Sequence, residues 1–253
     1  MQRILIALGT LGIVLAVGGR EASAQAGQSR CADCHFAQAS SIATNHLTSW
    51  EISAHARANV GCDGCHGGDA RTFESALAHR DVLAPANPSS PVHRSRIVTT
   101  CGRCHAGPFV AFQQSRHFQL WEVGNAGVPT CVTCHSDTGS RLMSPKALEG
   151  QCATCHGVGK AAARPAFPGQ ARAVLQGIRD TRALLKEAND LVRRVKDPAR
   201  RSRLEGLSQQ AQVPLIEATR AQHAFVYEAF EERLHVARRR VAMVFDELAN
   251  PPR

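Results

Sequence analysis

The chain has 253 residues, and its 30 lysines and arginines outnumber its 21 aspartates and glutamates, giving a formal net charge of +9. Ten cysteines and twelve histidines mark the composition. Beyond the N-terminus, no segment reaches the roughly 18 apolar residues that a membrane-spanning helix needs, which excludes a protein with several membrane spans.

The first 24 residues have the pattern of a secretory signal peptide. Arg3 precedes an apolar run from residue 4 to residue 17, and Ala22-Ser23-Ala24 forms a small-x-small sequence before Gln25. We therefore expect cleavage after Ala24 and a soluble exported protein, periplasmic or extracellular, without a stable membrane span. The alternative is an uncleaved N-terminal anchor, which the short apolar run disfavours.

Five Cys-x-x-Cys-His motifs occur between residues 25 and 160 and use every cysteine of the chain. This spacing lets both thiols reach the vinyl groups on one edge of a porphyrin, and the following histidine then lies under the iron. A disulfide framework and zinc sites built from Cys-x-x-Cys pairs are the alternatives. Histidine follows every pair, however, and an odd number of pairs leaves one without a partner for a four-cysteine zinc site. We predict five covalent haem c groups bound by these motifs: Cys31, Cys34 and His35; Cys62, Cys65 and His66; Cys101, Cys104 and His105; Cys131, Cys134 and His135; Cys152, Cys155 and His156.

The sequence between the motifs is rich in Gly, Pro, Ser and Ala and contains few long apolar runs. Such a segment cannot build an ordinary side-chain core, whereas haems are large apolar discs that could replace it. We therefore predict that residues 25–160 form a pentahaem cytochrome domain. Its fold class would be mainly α with extensive loops, a multihaem cytochrome c fold with a haem-filled core.

An internal repeat is visible within this region. An aromatic-x-x-Ser-x-His element lies between the first and second motifs as Trp50–His55, and between the third and fourth motifs as Phe112–His117. A proline-containing connector over residues 74–100 separates the two copies. The pattern indicates a duplicated two-haem module, with the fifth motif following the second copy.

The character of the sequence changes after residue 160. Apolar residues recur at helical spacing up to Val195 and again from Leu204 to Leu248, with a break at Asp197-Pro198. We predict a C-terminal antiparallel helical hairpin over residues 161–253, in which Pro214 kinks the second helix or marks its start. The basic tip of this hairpin is interpreted as a solvated turn, with a docking patch as the alternative.

Seven histidines lie outside the motifs, and five irons need at most five of them. Only Met143 and Met243 could give histidine–methionine centres in the mature chain, so bis-histidine haems are expected. His55 and His117 rank first because they share the repeated Ser-x-His element. We predict five distal ligands and two reserves: His55, His117, His79, His223 and His46, then His93 and His235.

His223 is expected to reach an iron bound in the first 160 residues, which would make the C-terminal helices part of the haem fold. Phe225 or Phe230 would then cover porphyrin surface nearby. Tyr227 is the only tyrosine of the chain, and packing against a neighbouring haem or helix is the expected role.

Three short sequences carry a family resemblance: Trp50-Glu51-x-Ser53-x-His55-Ala56, the Cys62 to His66 motif followed by Gly67, and Thr100-Cys101-Gly102-x-Cys104-His105. With the closing helical hairpin, they resemble the multihaem cytochromes related to hydroxylamine oxidoreductase and cytochrome c nitrite reductase, including their non-catalytic electron carriers. The resemblance covers roughly residues 30 to 160 by motif. It implies closely packed haems in parallel and perpendicular pairs.

The sequence departs from both of these enzymes. The nitrite reductases it resembles hold their catalytic haem in a Cys-x-x-Cys-Lys motif, which this chain lacks. The hydroxylamine oxidoreductases it resembles carry eight haems and a tyrosine cross-link to the catalytic one, whereas this chain has five motifs and a single tyrosine. The resemblance therefore implies the fold and not the enzyme activities.

We predict an electron carrier that passes single electrons between redox partner proteins of a respiratory chain, with a donor and an acceptor that the sequence does not identify. The alternatives are a nitrite- or hydroxylamine-like small-molecule oxidoreductase with one open haem, and a subunit of a polymeric haem wire or multi-subunit complex. Five haems would add about ten negative propionate charges, so the basic composition does not indicate nucleic acid binding.

Overall fold

A computed structural model describes residues 29–38, 44–136, 138 and 142–250 of the chain. Within these ranges the backbone forms α-helices, turns and loops, and no β-strand occurs. This confirms the predicted fold class, which is mainly α with extensive loops. The predicted signal peptide lies outside the described residues.

Ten short helices, none longer than 12 residues, lie in the described residues of the region that carries the five motifs. They are α1 (Arg30–Ala37), α2 (Thr44–Glu51), α3 (Ala54–Arg57), α4 (Asp63–His66), α5 (Ser75–Ala78), α6 (Ile97–Gly102), α7 (Ala106–Gln113), α8 (Arg116–Glu122), α9 (Cys131–His135) and α10 (Pro145–His156). A small side-chain core around Val98, Phe112 and Phe118 packs against Cys101 and Cys131. Side-chain packing therefore fixes the third and fourth motifs relative to each other.

The two copies of the aromatic-x-x-Ser-x-His element begin a helix in the same way. Ser53 accepts a hydrogen bond from the Ala56 N–H at 3.1 Å and caps α3, and Ser115 accepts one from the Phe118 N–H at 3.0 Å and caps α8. A serine at this position satisfies a helix N–H that lacks a partner within the helix. In both copies the histidine consequently stands at the second helical residue.

Three long helices follow the motif region. They are α11 (Ala166–Val192), α12 (Pro198–Ala221) and α13 (Tyr227–Ala249), with a 3₁₀ turn at Gln222–Ala224 before the last of them. Ile178, Leu215 and Phe230, one from each helix, meet in a common core. Each fully buried side chain of this size contributes about 1.5–3 kcal/mol, so the long helices hold together by ordinary apolar packing.

The C-terminal region extends the predicted hairpin to three helices. The α11–α12 turn lies at the predicted Asp197-Pro198 break, where the Asp197 side chain caps α12. The second helical stretch is divided again after Ala221, because Phe225 adopts a left-handed conformation with φ of +57° and Val226 is extended. The chain then reverses, and α13 packs against both earlier helices.

Pro214 and the basic tip have definite positions in this bundle. Pro214 lies buried inside α12 and does not mark the start of a helix. At the tip, the guanidinium of Arg200 donates hydrogen bonds to the carbonyls of Glu247 and Leu248 at the end of α13. Arg203 also forms an ion pair with Glu247 at 3.1 Å. Part of the basic tip therefore closes the end of a neighbouring helix, where a cation is favourable.

The long helices also contact the motif region. Helix α10, which carries the fifth motif, packs along α11, and α7 contacts both α12 and the 3₁₀ turn. These contacts bring the segment that contains His223 against the region of the third to fifth motifs. In the part of the chain that the structure describes, no helix has the length and hydropathy needed to cross a bilayer.

Candidate haem-binding sites

Each motif histidine faces one histidine from outside the motifs. The distance between the two ring centres lies between 5.7 and 6.2 Å in all five cases. The pairs are His35 with His79, His66 with His46, His105 with His55, His156 with His117, and His135 with His223. The five histidines predicted as distal ligands are the five that form these pairs.

The ring spacing fits one metal ion between the members of each pair. An imidazole nitrogen lies about 2 Å from a bound first-row metal, and the ring centre lies roughly 1.1 Å behind that nitrogen, so two rings that share an ion should be about 6 Å apart. Coordination leaves the angle between the two ring planes free. The observed angles accordingly range from 17° for His135 and His223 to 89° for His35 and His79.

Two ligands per site are what a six-coordinate haem iron takes from a protein, because the porphyrin supplies the other four. Zinc instead takes all four ligands from the chain in a structural site. The cysteines of each motif precede the paired histidine by one and four residues, as thioether attachment needs. The donor set of these five sites therefore fits haem c.

Hydrogen bonds orient three of the rings. The Nδ1 atoms of His55, His79 and His156 lie 2.8, 2.9 and 2.7 Å from the carbonyl oxygens of Thr138, Ser75 and Ala162. A carbonyl only accepts, so Nδ1 carries the proton in these rings and Nε2 keeps a free lone pair for a metal. Such bonds fix the tautomer and the ring plane of metal-binding histidines.

Burial favours the neutral form of several of the remaining rings. Desolvation, followed by the neighbouring imidazole of the same pair, lowers the pKa of His35, His66, His117 and His223 below the usual value. The neutral imidazole is the form that binds metal. The environment of these four rings therefore favours the ligand form at neutral pH.

The cysteines are free thiols in all five motifs, so no disulfide framework is formed. Burial raises the pKa of Cys62, Cys65 and Cys134, and it raises that of Cys152 to about 11. The thiolate is the form that binds zinc, and a raised pKa disfavours it.

Motifs that follow one another in the sequence are neighbours in space. Thiols of consecutive motifs lie close enough to shift the pKa of at least one partner in four places: Cys31 and Cys62, Cys65 and Cys101, Cys101 and Cys131, and Cys134 and Cys152. The thiols of Cys101 and Cys131 also share a hydrogen bond. The five candidate sites are therefore connected in the order of the sequence.

The two reserve histidines have other positions. The Nδ1 atom of His93 lies 2.7 Å from the hydroxyl of Ser95, and His235 is exposed on α13. Within the described residues neither of them stands opposite a motif histidine. Of the two phenylalanines expected near a porphyrin, Phe230 is instead buried in the core of the long helices, because its side chain faces α11 and α12.

Residue types and their spacing do not predict several of the groups that contribute to the sites. The carbonyls of Thr138 and Ala162 belong to loops, and backbone acceptors leave no residue-type signal. The Ser75 carbonyl lies four residues before His79, a spacing that one helical turn could have suggested. Tyr227, by contrast, donates its hydroxyl proton to Glu231 on its own helix.

Comparison with known proteins agrees with this site. A family model described as cytochrome c7 and related cytochrome c matches residues 86–157, and one described as cytochrome c554 and c-prime matches residues 16–67. The C-type polyheme cytochrome OmcC of Geobacter sulfurreducens is 28% identical over 124 residues, which cover 46% of this chain and 15% of the relative. The C-type polyheme cytochrome OmcB of the same species is 31% identical over 143 residues, which cover 52% of this chain and 17% of the relative.

The helical fold, the paired histidines and these matches define a multihaem c-type cytochrome, with covalent haem c as its cofactor. The chain spans only 15 to 17% of the length of the two Geobacter relatives. The narrower resemblance to the relatives of hydroxylamine oxidoreductase stays a prediction.

Proposed function

We propose that the chain is an exported pentahaem c-type cytochrome that passes single electrons between redox partner proteins. The observation that carries this proposal is the set of five histidine pairs, one for each Cys-x-x-Cys-His motif. When bound, haem c supplies an iron centre that accepts and donates one electron. Two imidazoles on each iron would leave no position at which a small substrate could bind.

The residues of the chain would have three tasks in this function. The motif cysteines would attach each haem, and His35, His66, His105, His135 and His156 would bind the iron on one side. His79, His46, His55, His223 and His117 would bind it on the other side, in the same order.

The succession of neighbouring motifs supports a carrier more than an enzyme. A single reactive centre needs one specialised site, whereas five sites connected in sequence order fit transfer between a donor and an acceptor at separate positions. The partners would be redox proteins of a respiratory chain. We further propose a division into a cytochrome domain over residues 25–160 and a helical domain over residues 161–253, both in the periplasm or outside the cell.

The test is the intact mass and the spectrum of the protein expressed with a cytochrome c maturation system. We expect the mass of residues 25–253 increased by five haems of roughly 0.6 kDa each. We also expect entirely low-spin ferric electron paramagnetic resonance (EPR) signals that nitrite and cyanide leave unchanged. A smaller haem number would contradict the pentahaem assignment, and a high-spin fraction that binds nitrite would favour an oxidoreductase with one open haem.

A further inference from the structure

The turn between α12 and α13 contacts two candidate haem sites at once. It carries His223, whose ring faces that of His135 in the fourth motif. Two residues later, the ring of Phe225 stands edge-on to the ring of His117 with 4.6 Å between their centres. His117 in turn faces His156 of the fifth motif. One short segment therefore supplies a ligand to the fourth site and touches a ligand of the fifth.

Phe225 has an unusual backbone conformation for its residue type. Among the described residues other than glycine, those with positive φ are Asn59, Asp81, Ser136 and Phe225. Asn and Asp tolerate the left-handed region through local hydrogen bonds, whereas a bulky aromatic residue is a true outlier there. Such a strained conformation persists only where surrounding structure holds it, and it is concentrated at functional sites.

Ordinary core burial does not account for this strain. Phe225 is 49% exposed, so much of its ring remains outside the apolar core. Its defined contacts are with the rings of His117 and Phe112. Phe112 is the aromatic residue of the repeated Ser-x-His element and is itself buried. The ring of Phe225 is therefore directed at the histidine of this element.

His117 lacks the hydrogen bond that orients its counterpart. In the first copy of the element, His55 is held through Nδ1 by the Thr138 carbonyl. In the second copy, the buried Nδ1 of His117 has no hydrogen-bond partner within the described part of the chain. Rotation of the His117 ring is thus limited by packing, and the edge of Phe225 is the nearest ring against it, closer than His156 at 5.9 Å.

We propose that Phe225 is a positioning residue that fixes the plane of the His117 ring relative to the plane of the His156 ring. The two planes differ by 48°. This inference rests on the proposed function, because the orientation of two axial imidazoles matters only when both bind one iron. The relative ring orientation sets the splitting of the low-spin ferric EPR signal, and the surroundings of the ligand set the reduction potential. Phe225 would consequently tune the fifth site without touching its iron.

The test replaces Phe225 in the five-haem holoprotein and follows each low-spin EPR signal. F225G removes the ring while keeping the backbone turn, since glycine adopts positive φ without strain. F225L keeps apolar bulk but not the planar edge, and F225Y keeps the ring. We expect F225G and F225L to shift the largest g value of one low-spin signal, and F225Y to match the wild type. V226G, at the exposed neighbouring position, controls for loosening of the turn.

The outcomes separate this inference from the proposed function. Wild-type protein that lacks five low-spin haems would contradict the proposed function before any variant is compared. Five low-spin haems in the wild type, with spectra of F225G and F225L that superimpose on it, would overturn the role of Phe225. A shift of equal size in V226G would also overturn it, because flexibility of the turn would then be the cause. Should F225G fail to fold, F225L and F225Y still decide the question.

Discussion

Gly68 holds the loop after the second motif against the residue that precedes His79. Its φ is +86°, and a Cβ atom at this position would lie 2.3 Å from the carbonyl oxygen of Ala78. The same carbonyl accepts a hydrogen bond from the Asp69 N–H at 3.1 Å. Only glycine allows this close approach, so the backbone at Gly68 helps to hold the histidine that faces His35.

We therefore expect Gly68→Ala to destabilise the holoprotein and to disturb the site of His35 and His79. The left-handed conformation alone costs an alanine about 1–2 kcal/mol, and the clash with the Ala78 carbonyl adds to this. Gly124→Ala is the matched control, because Gly124 has φ of +82° with no atom within 4 Å of the added Cβ. Chemical denaturation and the low-spin signals measure both effects. Equal losses of stability in the two variants would show that the close approach is unimportant.

At the residue scale, the sequence predicts which histidines meet a motif histidine but not which partner each one meets. Ser-x-His repetition singles out His55 and His117, and the structure begins a helix with the serine in both copies. The partners depend on folding: His55 faces His105 of the third motif, and His117 faces His156 of the fifth, in each case the second motif after that histidine. No local pattern encodes such long-range pairing, nor the contact of Phe225 with His117.

A hydrogen bond between the helices α12 and α13 compensates for the proline inside α12. Pro214 has no N–H, so the carbonyl of Gln210, four residues earlier, loses its helical donor. The guanidinium of Arg240 on α13 donates to that carbonyl at 2.7 Å. A hydrogen bond from a neighbouring helix thus replaces the one that proline removes, which explains why α12 continues through Pro214.

This compensation predicts that the effect of removing Arg240 depends on Pro214. Arg240→Ala should lower the free energy of unfolding by about 1 kcal/mol, the usual net value of one hydrogen bond. In a Pro214→Ala background the residue 214 N–H can bond to Gln210, so the same change should cost much less. Arg239→Ala, which makes the same charge change at an exposed position, should stay within about 0.5 kcal/mol of the wild type. Equal costs of Arg240→Ala in both backgrounds would contradict the compensation.

The two breaks between the long helices show where the spacing of apolar residues predicts a helix boundary and where it does not. The Asp197-Pro198 break is encoded by a capping aspartate and a proline at the first helical position, and it lies where predicted. The second break, at Gln222–Val226, contains neither glycine nor proline, and apolar spacing continues through it from Leu215 to Phe230. Its cause is the left-handed Phe225, a tertiary effect that local sequence does not reveal.

On the scale of the whole molecule, the chain has two kinds of interior. The long helices are held by an apolar side-chain core, whereas the described part of the motif region has one small core around Val98 and Phe112, and its cysteines are half-buried or exposed. The motif region would therefore depend on its haems for stability, whereas the long helices would not. Contacts of α10 with α11 and of α7 with the 3₁₀ turn join the two parts.

Composition and motif spacing are enough to predict this two-part organisation, because covalent haem attachment and helical periodicity both leave strong local signals. They do not predict how the parts meet. His223 lies in the turn between α12 and α13 and faces His135, almost ninety residues earlier in the chain. The long helices are consequently part of a candidate haem site, which distinguishes them from a separately attached docking domain.

His223 joins the long helices to the motif region. Its burial and the 6.2 Å ring distance to His135 lead us to expect that His223→Ala removes one axial ligand and leaves the other four pairs intact. One low-spin EPR signal should therefore be lost and replaced by a high-spin signal or by that of a new ligand, while the apolar core of the long helices still folds. His235→Ala is the matched control, since His235 is exposed on α13 and its loss should change no signal. If His223→Ala kept all five low-spin signals, the fourth site would have to draw its ligand from elsewhere, and the long helices would lose their role in haem binding.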